Sequence, residues 1–326
     1  MTELEPHHGQ LPAAPTPADH HLSPDTEQRI QDAIPGNTRR AYTRHWNDFT
    51  TWCTGENRTP LPATPETLTE YTGHLARHGK SATIIEQAIA TIRTQHRNAG
   101  HEGQPSTAGS RLVLRDHRRT HGSRPKQATP LLVDAIRAMV GCCDLGTLRG
   151  LRDRAVVVLG FTMMSRRSEL TGLDHDDATE TSAGLEIYLR SSKTDQDAKG
   201  TTIVIPWGEH DATCPVIAVG AWQNALRIHG YYSGRLLRSI DRWNNIGESL
   251  SGDAIADIIR RLTRDAGLPA GAYSPHGLRA GGATAAANAG AHVTDIARHG
   301  RWSINSPTVH RYIRNPNANP MRGIGL

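Results

Sequence analysis

One signal, repeated along this chain, constrains its fold more than any other: a Thr or Ser followed at once by Pro, at Thr64-Pro65, Thr129-Pro130, Ser274-Pro275 and Ser306-Pro307. A short hydroxyl side chain accepts hydrogen bonds from the free N–H groups of a first helical turn. Proline at the first helical position loses nothing, because its missing N–H had no partner there anyway. The chain therefore reads as a series of helices. From Thr38 to Cys53, Tyr42, Trp46, Phe49 and Cys53 recur at three- and four-residue spacing, an amphipathic stripe. Thr64-Pro65-Glu66 opens a helix to about His78, which Gly79 ends. Ser81 opens another, with Ile84, Ile85, Ala88, Ile89 and Ile92 on one side and Gly100 at its end.

The period changes in one place. Leu185-Glu-Ile-Tyr-Leu-Arg alternates, SSKTDQDAKG interrupts, and Thr202-Ile-Val-Ile alternates again, which predicts a β-hairpin. Helices return near residues 218–229, 251–266, 274–289 and 293–300, and a last one starts at Ser306-Pro307. Thr129-Pro130 predicts a helix to about Val140, ahead of a strongly apolar one from Leu151 to Met164. The expected fold is mainly α with a small β-hairpin or sheet. Only 2 Phe are present, so the core rests on aliphatic side chains, which suits helices.

A length of 326 residues suggests two domains. Residues 1–24, rich in proline and carrying His7, His8, His20 and His21, bury too little to fold and are expected to form a disordered tail. The histidine pairs there read as solvated or as a metal site. Residues 25–104 form a small helical domain with Arg39, Arg40, Arg44, Arg93 and Arg97. Residues 105–127 read as a basic linker, with Arg111, Arg115, Arg118, Arg119, Arg124 and Lys126 against the lone acid Asp116; it is either a phosphate-tracking strap or a solvated tether. Residues 128–326 form the second domain. A formal charge of +5 and a pI near 9.2 suit an anionic partner but do not single one out. The four cysteines make no CxxC pair, which points to a reducing, cytoplasmic compartment. No secretory signal is recognisable, and the longest apolar stretch, near Ala155 to Met164, falls well short of the ~20 residues of a membrane helix.

The polar groups of the second domain are ordinary when taken singly. Arg166, in MSRRSEL after the apolar helix, shares a helix face with Glu169 and reads as a surface ion pair or as an oriented guanidinium. Lys193 lies in the hairpin turn. His276 and Arg279 form HGLR in the first turn of a helix, where free N–H groups and the dipole favour an anion. The small residues that follow, AGGATAAANAG, let that helix pack closely. Trp302 and Tyr312 sit near the end, in GRWSINSPTVHRYIRN, where packing alone would also explain them.

In this order, Arg166 in RxSEL, Lys193 in a hairpin, HxxR, Trp302 and Tyr312 form one signature. The chain resembles the tyrosine recombinase, or phage integrase, family, and most nearly its Cre-like members. The resemblance runs from about Thr38 to Arg314 and is strongest in HGLRAGGATAAANAG, HGRW, YIRN and RSIDRWNNIGESLSGDAIADII. It implies an N-terminal core-binding domain and a C-terminal catalytic domain, with double-stranded DNA as partner and a homotetramer assembled on two sites. It implies that Tyr312 attacks a phosphodiester to give a 3′-phosphotyrosine and a free 5′-hydroxyl, and that a second 5′-hydroxyl reverses the step. No cofactor, metal, ATP, membrane or small-molecule substrate is expected.

On the same resemblance Arg166 and Arg279 hold the non-bridging oxygens, each worth on the order of 3 kcal/mol. His276 takes the phenol proton or supports the phosphate, and Lys193 protonates the leaving oxygen. Trp302 donates its indole N–H, Glu169 supports from behind, and Arg39, Arg40 and Arg44 meet DNA. The chain departs from the family in carrying Gly300-Arg301 where many members have Gly-His, so the donor is Trp302 or Arg301. It departs also in a longer Trp-to-Tyr interval and in a final segment, from Asn315, that is a poor helix. Three other readings compete: a non-cutting DNA-binding protein of the same fold, a strand-swivelling topoisomerase, and a metal-dependent nuclease, for which no ligand set is visible.

Overall fold

Helices form where caps and apolar stripes coincide. The computed structural model describes residue 16 and residues 21–32, 36–122, 127–190, 200–303 and 308–313. The chain divides into two compact units, Met1–Pro125 and Lys126–Leu326. Nearly all of the 1–24 segment, Lys193 and the segment from Asn315 lie outside the described residues, as do Ser306-Pro307, Arg124 and Lys126.

The first unit contains α1 (Pro24–Asp32), α2 (Gly36–Gly55), α3 (Pro65–Arg77), α4 (Ala82–Asn98) and α5 (Ala108–His121). Thr64 caps α3 by accepting the Thr67 N–H at 3.1 Å, and Ser81 caps α4 through the Ile84 N–H. Phe49, Cys53, Leu68, Tyr71, Ile85, Ala88 and Ile92 make the core. Ile84, expected on the buried side of α4, is exposed instead; the inward stripe runs through Ile85, Ala88, Thr91, Ile92 and His96.

The linker expected at 105–127 is corrected by α5, which occupies most of it and packs on α3 and α4. Its inward face is Ser110, Leu114 and His117, with the His117 ring bonded to the Lys80 carbonyl at 3.0 Å. Gly109 lies so close to Thr69 that a Cβ there would stand 2.5 Å from its hydroxyl. A helix that buries serine and histidine in place of leucine carries no apolar stripe to read.

The second unit contains α6 (Val133–Gly141), α7 (Leu148–Thr162), α8 (Arg167–Gly172), β1 (Ala178–Thr181), β2 (Gly184–Leu189) and β3 (Thr201–Ile205), followed by α9 (Pro215–Ile228), α10 (Gly252–Asp265), α11 (Pro275–Asn288), α12 (Val293–His299) and α13 (Thr308–Tyr312). The hairpin pairs Leu185 with Ile205 and Leu189 with Thr201, and β1 adds a third antiparallel strand that the alternation did not reveal. Buried α7 packs against α9 and α11. Among the described residues no helix is long and apolar enough to cross a membrane.

Thr129-Pro130 does not start a helix; α6 begins after Leu132. Residues 129–131 run instead along α11, where Leu131 donates its N–H to the Gly277 carbonyl at 2.9 Å. A Cβ at Gly281 would stand 1.9 Å from the Leu131 oxygen, and one at Gly282 would stand 2.3 Å from that of Phe161. The small residues of α11 thus admit one segment on one side and the end of α7 on the other.

Candidate active site

The end of α7 fixes the first arginine. After Thr162 the backbone turns through Met164, which is held in the left-handed region at φ 47°, an uncommon state for a residue with a side chain. Arg166 then caps α8. Its backbone N–H donates to Glu169 Oε2 at 2.8 Å and its Nη1 to Oε1 at 2.6 Å, so one carboxylate fixes both ends of the residue. The i, i+3 relation read from RxSEL is therefore real, and the pair is no loose surface contact: the Glu169 side chain is buried and that of Arg166 is 18% exposed.

Arg279, one turn into α11, is wholly enclosed. Its Nη1 donates to the Met164 carbonyl and its Nη2 to that of Gly300 at 2.5 Å. Its flat face lies 3.9 Å from the Trp302 ring centre and 5.5 Å from that of Tyr312. A guanidinium has five N–H donors; two are committed to these carbonyls, and Nε finds no partner among the described residues. Burial, and then the nearby Arg166, pull its pKa below the usual arginine range.

Trp302 is buried and its ring centre lies 4.9 Å from that of Tyr312. Only glycine at 300 permits this, since a Cβ would stand 1.9 Å from the indole. Tyr312 is partly exposed and ends α13, which is anchored by buried Val309 and by the Thr284 hydroxyl bonded to the Tyr312 carbonyl at 3.0 Å. His276 is exposed in the first turn of α11, with its ring centre 6.5 Å from that of Tyr312.

Five of the expected chemical residues therefore converge: Arg166, Glu169, Arg279, Trp302 and Tyr312, with His276 beside them. Lys193 lies outside the described residues. Arg301, one of two possible donors by sequence, turns inward. Its side chain is buried, with Nη1 on the His299 carbonyl at 2.7 Å and Nη2 on both Glu169 Oε2 at 2.7 Å and the Met163 carbonyl at 3.1 Å. Burial pushes the Glu169 carboxyl upward in pKa, but Arg301 and then Arg166 outweigh it and hold it below the usual range. Three arginines against one carboxylate leave this largely buried cluster short of negative charge, an arrangement that favours a bound anion. Among the described residues no group of three His, Cys, Asp or Glu side chains could hold a metal.

Arg39, Arg40 and Arg44 belong to the first unit, exposed on α2. Reading 105–127 as a linker missed a second such face: Arg111, Arg115 and Arg119 stand exposed along α5 at four-residue spacing.

This chain belongs to the tyrosine recombinases, a family of enzymes that break and rejoin DNA strands. It is 33% identical over 300 residues to an integrase/recombinase XerD homolog of Selenomonas ruminantium, across 91% of this chain and 86% of that one. It is 25% identical over 337 residues to the recombinase Cre of Escherichia phage P1, across 97% and 95%. The Tn1549 transposon integrase, solved with circular intermediate DNA, has the same fold at a TM-score of 0.61 and 16% identity, over 91% of this chain and 96% of that one. A lambda integrase dimer bound to a core site gives 0.58 and 17%, over 90% and 95%. No protein-family model matches the chain.

Proposed function

We propose that this chain is a site-specific recombinase that cuts and rejoins double-stranded DNA through Tyr312, with the scissile phosphate held by Arg166 and Arg279. The observation that carries the reading is the phenol ring laid against a buried guanidinium in a cluster where three arginines face one carboxylate. The Tyr312 oxygen attacks phosphorus, the tyrosine–phosphorus bond forms and the bond to the 5′-oxygen breaks. His276 accepts the phenol proton, and Lys193 gives one to the departing 5′-oxygen. An incoming 5′-hydroxyl then attacks the same phosphorus and releases Tyr312. The diester bond energy is kept in the phosphotyrosine, so the reversal needs no external energy source.

The enclosure of Arg279 sets a condition on this chemistry. Trp302 and Tyr312 cover its face, so a phosphate reaches it only when α13 shifts. α13 is five residues long and Val309 is its buried side chain, so moving it disrupts little packing. Arg166 and Trp302 then supply donors to the oxygens that gain charge, and Glu169 keeps the Arg166 fork aimed. Arg39, Arg40 and Arg44 of α2, together with the α5 arginines, would contact phosphates of the duplex. The lambda integrase tetramer on a Holliday junction, of the same fold at a TM-score of 0.57, supports a tetramer of this chain on two sites. Such a substrate places its work in the cytoplasm.

The test is an SDS-resistant protein–DNA adduct on duplex fragments tiled across the DNA that flanks the coding region. The adduct should vanish with Tyr312→Phe and persist with Tyr273→Phe. Its survival in the Tyr312 variant would refute the assignment.

A further inference from the structure

Sequence spacing leaves Arg301 as an alternative phosphate donor, yet both its terminal nitrogens donate to protein acceptors. It spans three segments: the end of α7 through the Met163 carbonyl, the start of α8 through Glu169, and its own loop through the His299 carbonyl. His299 ties that loop to α7 a second time, with its ring on the Thr162 carbonyl at 2.7 Å.

The backbone at this point does as much as the side chain. Arg301 sits at φ 56°, in the left-handed region. Two successive carbonyls consequently face two different arginines: that of Gly300 accepts Arg279 Nη2 at 2.5 Å, and that of Arg301 accepts Arg166 Nη2 at 3.4 Å. The same turn carries Trp302 back over Arg279. Of the groups placed at the phosphate, Arg166, Arg279 and Trp302 are thus tied to residues 300–302. Glycine would adopt that backbone angle without strain, so the inward hydrogen bonds of the Arg301 side chain offset the cost of an arginine there.

We propose that Arg301 is a positioning residue: its side chain holds Glu169 and the end of α7, and its turn sets two carbonyls on Arg166 and Arg279, so that it fixes the spacing and direction of both phosphate-binding forks without touching the phosphate. The proposal rests on the recombinase reading of the site and deepens it. It also explains how a buried cluster carries three guanidinium groups around one carboxylate. One of them serves the frame, and the other two face the substrate.

The charges facing Glu169 are Arg166 from the start of α8, Arg301 from the loop after α12 and, further off, Arg279 from α11. With Arg301 gone, burial acts on this carboxyl with less opposition. Its pKa rises, and protonation then releases Arg166 at a higher pH than in the wild type.

The experiment uses the full chain and whichever flanking-DNA fragment the wild type traps. At saturating fragment, Arg301→Met should slow adduct formation by roughly ten- to a hundredfold, the penalty of a small misplacement of reacting groups, while gel retardation of the fragment is unchanged. Arg301→Lys should recover part of the rate. The acid limb of the pH–rate profile should move to higher pH in Arg301→Met. In an Arg166→Lys background, adding Arg301→Met should cost little more, because the two act through one link. A rate equal to wild type would overturn the proposal; so would penalties that multiply in the double variant, the mark of an independent phosphate contact. If Arg301→Met does not fold, Arg301→Lys carries the same rate and pH comparisons. If the wild type traps no fragment, the recombinase reading itself fails, and the positioning link is then judged by the 13C titration of the Glu169 carboxyl in Arg301→Met. A raised pKa upholds the link, and an unchanged one ends it.

Discussion

Arg279 and Arg301 of the second unit are sealed inside it, with donors on backbone carbonyls and a carboxylate, whereas Arg39, Arg44, Arg111, Arg115 and Arg119 of the first stand on solvated helix faces. The enclosed arginines are each held in one geometry, and desolvation disfavours the charge of Arg279. The exposed ones keep many rotamers, and each contributes a screened attraction that sums with its neighbours. On the proposed reading, chemistry uses the first kind and retention of a duplex the second. The two should therefore fail differently. Arg279→Lys keeps the charge but not the fork that reaches both the Met164 and Gly300 carbonyls. Adduct formation at saturating DNA should fall by about a hundredfold or more, on the order of 3 kcal/mol, with little change in DNA affinity. A loss confined to affinity would erase the distinction between the two populations.

The next effect down concerns what holds Arg279 in place. Gly281 is two residues beyond it on α11, and a methyl group there would stand 1.9 Å from the Leu131 carbonyl, a backbone atom that cannot swing aside. Gly281→Ala should destabilise the second unit by roughly 1–3 kcal/mol, read as a lower denaturant midpoint. The α2 glycines, Gly36 and Gly55, have no neighbour this tight, and an exposed change on that helix, Thr51→Ala, should leave the midpoint unmoved.

The contrast also explains what could be read from the sequence. Helices with a proline start and an apolar stripe, such as α3, announce themselves, and so does a hairpin of alternating residues. The candidate site could be picked out because its residue types are chemically costly and fall in a fixed order: Arg166 with Glu169, HxxR, Trp302 and Tyr312. The rest depended on contacts that no local pattern records. α5 hid because it buries Ser110 and His117 while Leu112 stays 61% exposed, so polarity suggested a tether. Thr129-Pro130 carried a valid start signal, but the groove left by the α11 glycines kept that segment from coiling. Arg301 looked like a donor because spacing gives a residue's place and not the direction of its side chain.

A smaller effect tests a cap in the first unit. Thr64→Ala removes the acceptor of the Thr67 N–H and should cost about 1 kcal/mol of stability. Because α3 is the helix on which α5 rests, the loss should appear in the unfolding of the first unit, with the chemical step at saturating DNA unaltered.

The smallest expected effect bears most directly on the exposed population. Arg115 sits mid-helix on α5, between Arg111 and Arg119 and clear of the ion pair that Arg118 makes with Glu86. If the stripe follows a phosphate backbone, Arg115→Ala removes one contact of several. Affinity at physiological salt should then fall only a few-fold, and the slope of log K against log salt should become shallower by about 0.9. Adduct formation at saturating DNA should match wild type, the opposite of the Arg279→Lys outcome. An unchanged salt slope would take α5 off the DNA and leave α2 as the basic face of the first unit, because a charge that displaces no counterion from DNA lies away from it.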